Sequence, residues 1–142
     1  MTRSRKKKAR SAKPAEPLSR AESEALANLE HIEEMVRALR SANSRKADAA
    51  RERILEDALS VEVRSAWHVP GSGDDDPEEY RILLAWGGPA VRLIGTLDQY
   101  AVPETARLQS QDWFQPWSDL KDASADTDDI LLDYARCFYF GE

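Results

Sequence analysis

An α+β fold is what the sequence predicts: an N-terminal helical hairpin, a four-stranded antiparallel meander and a C-terminal helix. Three observations carry this expectation. From Ala25 to Leu59 apolar residues recur in steps of three and four, the spacing of an amphipathic helix face. From Val61 the period becomes two, broken by clusters rich in Gly, Pro and Asp, as in strands joined by turns. At Ile130, Leu131, Tyr134 and Phe138 the helical spacing returns. With 142 residues, 42% of them hydrophobic, the chain can bury one core, expected over residues 19–142 behind a disordered tail at 1–18.

Taken in order, the first helix starts at Ser19, where Ser19-Arg-Ala-Glu22 fits a capping box, and runs to about Ala42. Its stripe is Ala25, Leu29, Ile32, Val36 and Leu39, widened by Leu26 and Met35. Asn43-Ser44 offers a fresh N-cap, and Ala47, Ala50, Ile54 and Ala58 form a second stripe, so a hairpin or one bent helix occupies residues 19–59. The heptad-like spacing also suits a coiled coil, but only about two heptads are present and Ala at the seam packs weakly.

The first strand places Val61, Val63, Ser65 and Trp67 on one face, with Glu62 and Arg64 on the other. After the turn-forming run 70–79, Tyr80 to Trp86 makes a second strand, and Gly87-Gly88-Pro89 turns the chain into a third at Ala90 to Leu97. Thr105 to Asp112 is the fourth. Short links between successive strands favour an antiparallel meander. Trp113, Phe114 and Trp117 around Pro116 are expected to wrap the sheet edge and close the core. Asp126 or Thr127 caps the last helix, with Asp126, Asp128 and Asp129 at its positive end and Phe138, Tyr139 and Phe140 docking as a plug.

Charge divides the chain. Residues 1–18 hold seven Lys or Arg against one acid, whereas residues 59–142 hold six against sixteen, within a net charge of -6. The lone Cys137 excludes an internal disulfide, no apolar run approaches the length that spans a bilayer, and the basic N-terminus lacks the apolar stretch of a secretory signal. A cytoplasmic protein that does not enter a membrane is the expectation.

No constellation names a reaction, so no catalytic residue, resident metal or cofactor is assigned. Asp74, Asp75, Asp76, Glu78 and Glu79 form an acidic loop without the alternation of a calcium-binding loop. His68 beside it is the one pairing from which an acid–base or metal-dependent enzyme can be drawn, because His31 and His68 are the only histidines. Cys137 next to Phe138 reads as a buried apolar residue, and Gly87-Gly88 lacks the spacing and the helix of a phosphate loop. Arg81, Arg92, Arg107, Gln109 and Gln111 can share one sheet face, where such arginines serve more often as cross-strand partners for carboxylates than as phosphate ligands.

At residues 79–120, EYRILLAWGGPAVRLIGTLDQYAVPETARLQSQDWFQPWSDL, and at residues 131–142, LLDYARCFYFGE, the sequence resembles a group of small, functionally uncharacterised proteins of bacteriophages and integrated mobile elements. The resemblance covers about the second half of the chain, and it transfers no site residues. It implies a context in which small proteins act as adaptors or inhibitors of host defence systems, anti-CRISPR proteins among them.

The resulting expectation is a non-enzymatic protein-binding module that inhibits a nucleic-acid-processing host complex. Asp74, Asp75, Asp76, Glu78 and Glu79 would meet a basic surface of a host protein or nucleoprotein complex. The alternative is a nucleic-acid-associated protein with Arg3, Arg5, Lys6, Lys7, Lys8, Arg10 and Lys13 as a phosphate-binding arm.

Overall fold

A computed structural model describes residues 19–73, 76–121 and 123–141; the basic segment from Arg3 to Lys13 and the pair Asp74 and Asp75 lie outside the described residues. Ser19 opens helix α1 (Arg20–Leu39) as expected. Its hydroxyl accepts from the Glu22 amide and the Glu22 carboxylate accepts from the Ser19 amide, completing the capping box. The bond from the Ser19 amide foremost, and after it the charge of Lys121, hold the Glu22 carboxyl below its ordinary pKa.

Helix α1 ends three residues earlier than the sequence suggests. The Arg40 amide closes it by donating to the Val36 carbonyl, as the Ser41 amide does to Ala38, and Asn43 then caps α2 (Ser44–Asp57) by accepting from the Lys46 amide. The hairpin is therefore two helices.

The strands are β1 (Ser60–Ser65), β2 (Pro77–Ala85), β3 (Ala90–Thr96), β4 (Arg107–Gln111) and β5 (Ser118–Asp119). They pair antiparallel in sequence order, β1 and β5 being the edges. The meander thus has five strands where four are expected, since a two-residue strand shows no periodicity. Gln109 pairs with Asp119 and Ser110 with Ser118.

Between β3 and β4 the chain approaches itself closely. A Cβ on Gly95 would sit 1.9 Å from the Thr105 carbonyl oxygen, which also accepts the Tyr80 hydroxyl at 2.6 Å. Only glycine fits there.

Helix α3 (Ala125–Ala135) is capped by Ser124, not by Asp126 or Thr127. The Ser124 hydroxyl accepts from the Thr127 amide, which leaves Asp126 and Asp128 to complement the positive helix end.

All three helices lie on one side of the sheet. Ile32, Met35 and Val36 of α1, Ile54 of α2 and Leu131 and Tyr134 of α3 pack with Ile82, Leu93 and Leu108 of the sheet in one core. Tyr134 donates to Asp57 at 2.8 Å, tying α3 to the end of α2. Of the C-terminal plug, Phe140 is buried against Tyr80 with ring centroids 4.9 Å apart and Phe138 is half-buried, while Tyr139 stays exposed.

The aromatic run does not close this core. Trp113 and Phe114 are exposed, the latter 98%, and Trp117 is half-buried on the far side of the sheet. Trp67 is likewise exposed, because β1 ends at Ser65. No described helix is long and apolar enough to cross a membrane.

Candidate functional site

Because side chains alternate along a strand, placing the helices on one side leaves the other face of the sheet open. Its composition follows from register. One row across the strands reads Arg64, Glu79, Thr96; the next reads Glu62, Arg81, Ile94, Arg107; the third reads Ser60, Leu83, Arg92, Gln109, Asp119.

Three of the four arginines on this face are neutralised in place. Arg64 meets Glu79 at 2.7 Å, Arg81 meets Glu62 at 2.6 Å and Arg107 meets Asp119 at 3.2 Å. The Arg81 bond, more than the arginine's charge at a distance, holds the Glu62 carboxyl below its ordinary pKa.

Arg92 differs. Among the described residues it has no carboxylate within ion-pair distance. Its Nε donates to Gln109 Oε1 at 2.9 Å, and its guanidinium carbon lies 4.1 Å from the centre of the Trp117 ring. Gln109 is fixed in turn by donating to Asp119 at 2.8 Å, the carboxylate that also holds Arg107. Partial burial, and after it the charges of Arg81 and Arg107, lower the Arg92 pKa. A cation partly withdrawn from water is one that an incoming anion relieves.

Two shallow hollows meet at this residue. One, of about 300 Å³, is lined by Leu83, Trp86 and Trp117 together with Arg81, Arg92 and Glu62. The other, of about 420 Å³, lies among Arg64, Arg81, Arg92 and Ile94 and the carboxylates of Glu62 and Glu79. Trp86 is 74% exposed, so the first hollow has an aromatic wall facing water. The combination offers one cationic contact beside flat apolar surface.

The acidic loop is divided by strand alternation. Glu79 falls on the open face and is paired with Arg64, while Asp76 and Glu78 are exposed around a broad hollow of about 870 Å³ that also includes Asp98, Tyr100 and Glu104. Asp98 is engaged there by the amides of Tyr100 and Val102. His68 is exposed in the loop after β1 and lines a separate hollow with Trp67 and Glu79, whose carboxylate Arg64 already holds. Among the described residues no group of three or more His, Cys, Asp or Glu is placed to hold a metal ion. The Cys137 thiol is half-buried and burial pushes its pKa up, so it is a poor nucleophile.

From sequence Arg81, Arg92, Arg107, Gln109 and Gln111 can share one face, and the register places Arg81, Arg92, Arg107 and Gln109 there. What the sequence does not reveal is that Arg92 lacks a carboxylate among the described residues and that Trp117 stacks on it, because Trp117 is placed by the short strand β5 that follows it. Comparison with known proteins adds nothing to this geometry: no family model, curated protein or solved structure matches the chain.

Proposed function

We propose that the protein is a binding module that docks a segment of another protein on the open sheet face, with Arg92 receiving a carboxylate and Trp86 and Leu83 receiving an adjacent apolar side chain. The observation that carries this reading is the state of Arg92: among the described residues it alone of the four arginines on this face has no carboxylate, yet it is held in place by Gln109 and Trp117. A preorganised cation loses little entropy on binding, and a charge-assisted bond in a partly desolvated site is the strong kind. Glu62, Glu79 and Asp119 on the same face disfavour a run of phosphates, which argues for one anionic group in place of a nucleic acid strand.

The test is selection of a random heptapeptide library on the immobilised full chain. Enriched peptides should pair Asp or Glu with an aromatic or aliphatic residue and should be lost on Arg92→Gln. Enrichment indifferent to Arg92, or enrichment of oligonucleotides in a parallel selection, would refute it.

A second reading rests on the broad hollow among Asp76, Glu78, Asp98 and Glu104, which offers carboxylates to a basic partner. It suits an inhibitor that engages a basic groove of a nucleic-acid-processing complex, the role implied by the resemblance to phage and mobile-element proteins. Neutralising Asp74, Asp75, Asp76, Glu78 and Glu79 together should then abolish complex formation with thermal stability nearly unchanged. Unaltered affinity would exclude that surface.

A further inference from the structure

Strand β1 is an edge of the sheet, and among the described residues little protects it. Proteins usually blunt an exposed edge with Pro, Lys, a central bulge or a covering element. Ser60-Val61-Glu62-Val63-Arg64-Ser65 holds neither Pro nor Lys, and its pairing with β2 stays regular until the shift between Arg64 and Ser65. Five of its six residues are exposed. On the helix side the margin is apolar: Leu55, Leu59, Val61 and Val63 are 47%, 59%, 39% and 36% exposed. On the open side stand Glu62 and Arg64, two residues apart and opposite in sign.

We propose that β1 pairs antiparallel with β1 of a second copy of this chain, about a two-fold axis at Val63. In that register Val63 faces its own counterpart on the helix side, and on the open side Glu62 faces the second copy's Arg64, and the reverse. Each of these residues already has an opposite charge behind it in its own chain, Arg81 behind Glu62 and Glu79 behind Arg64. The joined sheets therefore carry an alternating row, Arg81, Glu62, then Arg64 and Glu79 of the second copy, with no like charges adjacent.

The register is selective. A slip of one residue sends side chains to the wrong faces, and the neighbouring registers that preserve the faces set Glu62 against Glu62 or Arg64 against Arg64. Charge and pleat together leave one favourable pairing. Opposed residues in a sheet point to the same side, so the dimer presents two open faces side by side, doubling whatever surface each copy offers.

Charge complementation in solution tests the pairing. Wild-type full-length chain should sediment as a dimer that dissociates on dilution. Glu62→Arg and Arg64→Glu, each alone, set like charges against each other at both symmetric contacts and should weaken self-association at least about tenfold. An equimolar mixture of the two variants restores opposite charges at both contacts and should recover the dimer, which also shows that both variants are folded. Three results would overturn the proposal: wild-type protein monomeric throughout, single variants that associate as tightly as wild type, or a mixture that stays monomeric.

Discussion

Two rows of the sheet, one residue apart, have opposite characters. Val61, Ile82, Leu93 and Leu108 align across four strands beneath the helices, while Glu62, Arg81, Ile94 and Arg107 align beside them facing water. Ile82, Leu93 and Leu108 of the first row gain from removal of apolar area from water and tolerate no polar replacement, while Val61 at the edge is 39% exposed. The second holds ion pairs that are individually weak because solvent screens them. Stability is thus concentrated on the covered face, and the open face contributes little to it.

The sharpest way to break this contrast is to truncate the covered row. Leu93 is fully buried between Ile82 and Leu108, so Leu93→Ala should cost about 3 kcal/mol in denaturant unfolding. A loss below about 1 kcal/mol would mean that the helices do not seal that face.

Alkaline pH attacks the same side. Burial above all raises the phenol pKa values of Tyr80 and Tyr134, and the bond to Asp57 raises Tyr134 further. The folded chain keeps these protons where the unfolded chain releases them, above about pH 10. Their contribution is complete below that pH, and stability should then fall by about 1.4 kcal/mol per pH unit for each tyrosine until the folded pKa is reached. Unfolding followed by circular dichroism from pH 9 to 12 reads this, and a flat profile would contradict it.

Tyr134→Phe keeps the ring and deletes its bond to Asp57, for an expected cost of about 1 kcal/mol and a weaker alkaline dependence. On the open side, Glu62→Gln removes an ion pair with both partners more than half exposed, and its melting temperature should be indistinguishable from wild type. A clear drop would make the open row structural after all and erase the contrast.

How far this architecture is legible in the sequence follows the same division. The α1 capping box and the helical stripes are read from spacing, because burial forces periodicity, whereas the core positions Ile82, Leu93 and Leu108 emerge only when the strands are placed under the helices. The five-residue run Trp113 to Trp117 misleads for the complementary reason. Aromatic content suggests burial, but Trp113 packs its ring over Gly88, where a Cβ would lie 1.7 Å from the indole nitrogen, while most of its surface stays in water. Trp117 finds its partner in a cation on the open face. The acidic loop is visible as composition, yet the separation of Glu78 from Glu79 appears only once both are placed in β2. Pairings across strands depend on register, and no local pattern encodes the register of a two-residue strand such as β5.

The claim that the open face serves recognition and not stability rests most directly on Arg92. Arg92→Gln removes the guanidinium that stacks on Trp117, at a cost to folding of about 0.5–1 kcal/mol, while an acidic peptide from the selection should lose about tenfold to a hundredfold in affinity. Measuring peptide affinity and thermal melting on the same two proteins decides it. Loss of affinity with the fold intact is the predicted result; unchanged affinity, or destabilisation as large as that of Leu93→Ala, would contradict the account.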